Sequence, residues 1–149
     1  MDVKIELLKQ CRGFVNKRLQ TVEEIIKSNQ KALSSETKSS AGDKHETGRA
    51  MLQLEMEKAG QQLAGIVVMK TILSKIDISK TTKKAHLGSV IYTTSANYFL
   101  SISAGKLVID DVIFFAISVS SPIGKQLLGK KVNDDFTFNG KKITILKLE

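Results

Sequence analysis

The chain has no tryptophan, one cysteine, one proline and two histidines in 149 residues. Each scarcity excludes something. Cys11 alone cannot form an internal disulfide. With His45 and His86 the only imidazoles, no His/Cys set can close a zinc site. Cys11 occurs among Leu8, Val15 and Leu19, the setting of a small core residue rather than a nucleophile. It also lies far along the chain from His45, and the chain is too short for an acyl-condensing fold. No run approaches the roughly 20 apolar residues of a membrane span. The opening Met1-Asp2-Val3-Lys4-Ile5-Glu6 is charged from its second residue and lacks the apolar core of a signal peptide, so a cytoplasmic protein is expected.

What is present describes a folded and basic chain. The hydrophobic fraction, 42%, is that of a protein with a core. Net charge is +8, and the excess is denser towards the C-terminus: residues 1–79 carry 13 basic and 10 acidic side chains, residues 80–149 carry 10 and 5. Such a balance suits a nucleic-acid or acidic-protein partner, and equally a solvated lysine-rich surface.

The first half is patterned as helix. Ile5, Leu8, Cys11, Val15, Leu19, Val22, Ile26 and Leu33 recur at steps of three and four, with one gap of seven. A second stripe, Leu52, Met56, Ala59, Leu63, Ile66, Leu73 and Ile76, has the same steps and one such gap. The period near 3.5 predicts an antiparallel helical hairpin packed as a two-stranded coiled coil over residues 1–79. Arms of about 30 residues would extend roughly 45–50 Å. Its tip falls at about residues 34–48.

Residues 78–84 read as a linker, and beyond them the period changes. Segments 89–94, 98–103 and 112–117 are rich in β-branched and aromatic residues and read as strands. Pro122 suits the first position of a short helix over 123–128, with Ser121 as its N-cap and Gly129 at its end. Strands at 136–138 and 143–146 close the chain through Asn139-Gly140, a strong hairpin signal. Residues 80–149 are thus a small β-rich domain with one short helix, and the whole is α+β. Tyr98, Phe99, Phe114, Phe115, Phe136 and Phe138 are expected in its core; an exposed subset would mark a partner-binding patch.

The segment Gly42-Asp43-Lys44-His45-Glu46 sits at the tip. Asp43 and Glu46 suit a helix N-terminus, Asp43 as N-cap and Glu46 as the third helical residue returning the hydrogen bond. A displayed carboxylate pair can also carry a metal into another molecule's active site. His45 reads as an exposed spacer, and Lys44, Arg49, Lys130 and Lys131 as surface cations able to meet a partner.

With Ser120-Ser121-Pro122-Ile123-Gly124-Lys125-Gln126-Leu127-Leu128-Gly129-Lys130-Lys131-Val132-Asn133-Asp134 and the closing strand 143–148, the chain resembles the Gre family of bacterial transcript-cleavage factors. The tip resembles that family's Gly-Asp-x-x-Glu. The resemblance runs the length of the chain in order and implies an FKBP-like C-terminal domain. It also implies an accessory factor, not itself an enzyme, that enters the secondary channel of RNA polymerase as a monomer and acts at the nascent RNA 3′ end. There Asp43 and Glu46 would help to hold a Mg²⁺ shared with the polymerase; none is expected to bind stably to the chain alone. Ser121, Pro122, Lys130 and Lys131, with Lys44 and Arg49, become partner-binding residues under this resemblance. The sequence departs from the family after the tip, where Glu46-Thr47-Gly48-Arg49-Ala50 replaces a further acid by Arg49 and lacks an aromatic. Three other readings follow: a channel binder that modulates or inhibits the polymerase without cleavage, a coiled-coil adaptor, and an FKBP-like isomerase or chaperone.

Overall fold

The computed structural model describes residues 2–38 and 42–149, side chains excepted at 36–38 and 42–45. Two long helices, α1 (Val3–Lys38) and α2 (Gly42–Ser74), precede six strands and a short third helix. The strands are β1 (Val90–Thr93), β2 (Asn97–Ser101), β3 (Gly105–Ile109), β4 (Val112–Ser118), β5 (Asp135–Phe138) and β6 (Lys141–Leu148); α3 (Pro122–Leu127) lies between β4 and β5. The protein is therefore α+β. Two compact units emerge: Val15–Lys70 is one, and Met1–Phe14 with Thr71–Glu149 the other. The outer turns of both long helices thus share a unit with the sheet.

In the helical unit, burial follows the expected seam. Val15 and Val22 on α1, and Ala59 and Ile66 on α2, are buried, with Leu19, Ile26, Leu52, Met56 and Leu63 half-buried between them. Both helices line one groove of about 570 Å³, and only three residues separate the helix ends, so they run antiparallel. The gap of seven in the first stripe is filled by Asn29, which is 7% exposed and lies in that groove with Ala59. Its Nδ2 has no hydrogen-bond partner among the described residues. A buried polar residue in a coiled-coil seam sacrifices stability and favours one register.

The unit that holds the sheet corrects the first stripe at its start. Ile5 is 50% exposed, whereas Lys4 is 4% exposed. The inward position goes to Lys4 because its aliphatic stem can cover apolar surface while Nζ donates to the Lys80 carbonyl oxygen at 3.0 Å. Ile76 is likewise outside α2, which ends at Ser74.

The sheet order is β3-β4-β2-β1-β6-β5, antiparallel throughout except for β2 against β4. Strand alternation sorts the side chains into two layers. One face holds Ile91, Leu100, Phe136, Ile143 and Ile145 under Leu127 of α3. The other holds Val90, Phe99, Ser101 and Phe114, all buried, with Tyr92 edge-on to Phe114 at 5.8 Å. The start of α1 covers it: Leu7, Leu8 and Cys11 are buried, and Cys11 Sγ lies 3.7 Å from Ser101 Oγ. Burial raises the Cys11 thiol pKa, so it stays a protonated core group.

Two of the three hairpin turns have left-handed backbones. Asn139 and Gly140 have φ of 51° and 76°, as the Asn-Gly pair requires. Asp110 and Asp111 have φ of 48° and 64° and join β3 to β4. That hairpin makes β3 a sixth strand, in a segment the sequence pattern left unassigned.

Candidate functional site

The tip residues fall at the start of α2. The helix begins at Gly42, one residue ahead of Asp43, so the backbone of Asp43 lies inside the first turn and not at the flanking N-cap position. Its side chain, with those of Lys44 and His45, lies outside the described residues. Backbone positions 43 and 46 are three apart on one helix and share a face. An acidic residue in the first turn of a helix is favoured by the helix dipole by about 0.3–1 kcal/mol; the Asp43 position lies in that turn, and Glu46, the fifth helical residue, falls just beyond it.

Glu46 and Arg49 are both exposed. Neither side chain has a hydrogen bond or ion pair to another described residue. Exposure leaves the Glu46 carboxylate accessible to a partner. Arg49 is three residues further along the same face and puts a positive charge beside that carboxylate. Among the described residues no group of three or more His, Cys, Asp or Glu stands together to hold a metal. A pair of carboxylates nevertheless suits Mg²⁺, which keeps several waters and is commonly held by one or two carboxylates plus phosphate oxygens.

The residues of the second segment lie around α3. Ser121 is its N-cap, with φ −68° and ψ 158°; Oγ accepts from the Gly124 amide at 3.1 Å and donates to the Ser118 carbonyl at 2.6 Å. Pro122 occupies the first turn and is exposed, leaving it free to meet a partner as well. Gly124 is buried, and a Cβ there would collide with the Ser118 carbonyl oxygen. The helix closes at Leu128, with Gly129 in the left-handed conformation at φ 82° just beyond. Lys130 lies over the Phe136 ring, Nζ 5.9 Å from its centroid, and Lys131 is exposed.

Of the aromatics expected in the core, Phe99 and Phe114 are fully buried, while Phe115 is 36% exposed. Phe115 opposes Tyr98 across β2 and β4, ring centroids 6.4 Å apart. Val108 and Ile113 face each other beside it and are 47% and 42% exposed. These four make an apolar patch on the sheet face that α3 covers elsewhere. Val108 and Ile113 were not legible as surface residues, because their strand pairing sets the face they occupy.

This segment is also where the chain matches a known family. Residues 111–149, from the β3–β4 turn to the C-terminus, match the family described as Transcription elongation factor, GreA/GreB, C-term. Residues 111–149 are thus similar to the C-terminal part of that family. The match takes in α3, its Ser121 cap, Gly124 and the Lys130-Lys131 turn, so the second segment of the resemblance lies within it. No curated protein matches the chain. The two long helices precede this matched segment in the chain.

Proposed function

We propose that the protein enters the secondary channel of RNA polymerase and stimulates the polymerase's own cleavage of backtracked RNA. The observation that carries this reading is an exposed Glu46, without a side-chain partner among the described residues, near the start of α2 in a chain whose residues 111–149 match the GreA/GreB C-terminal family. Asp43 and Glu46 would contribute the carboxylate oxygens that complete a shared Mg²⁺ site in the polymerase centre. Such an ion supplies charge stabilisation to the attacking and leaving oxygens of a phosphodiester. Glu46 would also orient the attacking water by accepting a hydrogen bond from it. The Phe115 patch and the exposed Pro122 corner would hold the C-terminal domain on the polymerase surface.

The test is a stalled, backtracked elongation complex with Mg²⁺ and the full-length protein. Release of a 3′ RNA fragment is expected, with a loss of at least tenfold in Asp43→Ala and in Glu46→Ala. Wild-type protein that binds the complex and releases no fragment would overturn the reading. Arg49 favours a second one: a channel binder that modulates the polymerase without stimulating cleavage. The positive charge three residues from Glu46 competes with a cation for its carboxylate. On that reading Arg49→Ala gains cleavage activity that the parent lacks.

A further inference from the structure

The sequence contains two long stretches without a single acid. Residues 78–109 carry Lys80, Lys83, Lys84 and Lys106 and no Asp or Glu; residues 112–133 carry Lys125, Lys130 and Lys131 and none either. The fold joins them. The Ala85 amide donates to the Lys130 carbonyl oxygen at 2.8 Å, and the Gly129 amide donates back to the Ala85 carbonyl oxygen at 2.8 Å. Lys83-Lys84 and Lys130-Lys131 thereby flank one short backbone ladder.

The ladder is firmly built on both sides. Thr82 Oγ1 and Ser89 Oγ each lie 2.9 Å from His86 Nδ1, and the Gly88 amide donates to the Leu100 carbonyl oxygen at 2.7 Å. On the other side the Lys131 amide donates to Asp134 Oδ2 at 2.8 Å. That is the nearest acid in sequence, and it is engaged with backbone. Lys83, Lys84 and Lys131 are exposed, and none of the four lysines has an ion pair to a carboxylate among the described residues. By contrast, Lys142 pairs with Asp135 and Lys147 with Glu149 on β6.

We infer that Lys83, Lys84, Lys130 and Lys131 form a binding surface for the phosphate backbone of a nucleic acid. Four ammonium groups on a preformed base, none in an ion pair among the described residues, attract a repeating anion. Lysine is a point charge, without the bidentate fork that reads base edges or carboxylates, so the contact is sequence-independent. Phe136, the aromatic under Lys130, is 9% exposed and cannot stack a base, which favours phosphate as the recognised group. The inference is independent of the tip: it concerns the sheet unit and stands or falls without the cleavage assay.

The test is fluorescence anisotropy of the full-length chain with a labelled duplex DNA and, separately, a mixed-sequence single-stranded RNA, over a salt series. Four phosphate contacts give a slope of log K on log salt of about −3.6 for the duplex and about −2.8 for the single strand. K83A/K84A and K130A/K131A should each reduce that slope by about half and weaken binding at least tenfold near roughly 0.1 M salt. The tighter of the two probes identifies the form of nucleic acid. The control K9A/K17A, the same charge change on α1, should leave the slope in place; far-ultraviolet circular dichroism checks that each variant is folded. An equal loss in the control would reduce the effect to net charge and overturn the proposal. So would unchanged nucleic-acid binding in both patch variants, including the case where they lose only binding to polyglutamate, which would make the surface one for an acidic protein.

Discussion

At the scale of single residues, two sites give sharp expectations. Gly124 has no room for a methyl group, because the Ser121 cap draws the Ser118 carbonyl against it. Gly124→Ala must displace that backbone, so it should cost about 1–3 kcal/mol, read as a lower urea midpoint. Ser121→Ala, which removes only the cap, should cost about 1 kcal/mol. The tyrosines make the second site. Burial, then the Glu149 charge and hydrogen bond, push Tyr92 up to about 12, and burial raises Tyr98 above its ordinary value. A raised phenol favours the protonated folded form. Its contribution is intact below the ordinary pKa of 10.0 and is lost as pH rises towards about 12. Ultraviolet titration of the native protein should show less phenolate at pH 10 than the unfolded chain does. In Tyr92→Phe, stability should fall less steeply over that interval; an identical fall would remove Tyr92 from the account.

At the scale of elements, the helical pair and the β3–β4 hairpin differ in how they were legible. The three-and-four spacing of Val15, Val22, Ala59 and Ile66 predicts a seam, and those residues are buried in one. The gap in the α1 stripe did not reveal that Asn29 takes the missing position, since a polar residue is invisible to a count of apolar ones. Its amide, without a hydrogen-bond partner among the described residues, costs on the order of 1–3 kcal/mol. Asn29→Leu should therefore raise the melting temperature of the chain, and a neutral or destabilising result would mean that Nδ2 is satisfied in solution. The β3–β4 hairpin was missed for another reason. Leu107 and Ile109 alternate with exposed neighbours as a strand should, but Asp110-Asp111 is a weaker turn signal than Asn-Gly.

At the scale of the whole molecule, each sheet face has its own cover. α3 lies on one, and Leu7, Leu8 and Cys11 from the start of α1 are buried with the other. Gln10 adds a hydrogen bond from Nε2 to the Val108 carbonyl oxygen on the edge strand, at 3.0 Å. A fragment beginning at residue 80 would expose Phe99 and Phe114, so it should bind the dye ANS and unfold with low cooperativity. The intact chain should do neither. A tightly folded fragment that excludes the dye would show that the α1 cover is dispensable.

By itself the sequence determined the α+β class, the helical seam, the Ser121-Pro122 start of α3 and the Asn139-Gly140 turn. All of these rest on local period, caps and backbone preference, which act within a few residues. It also singled out Asp43 and Glu46 as a displayed pair, though the helix starts one residue before the expected cap. Only the tertiary structure decided that Lys4 turns inward where Ile5 was expected, that Val108, Ile113, Phe115 and Tyr98 share an uncovered face, and that Lys83-Lys84 meet Lys130-Lys131. These depend on which strand pairs with which and on hydrogen bonds between residues more than 40 apart in the chain. No local pattern contains that pairing, because its free energy comes from surfaces that meet only once the chain has folded.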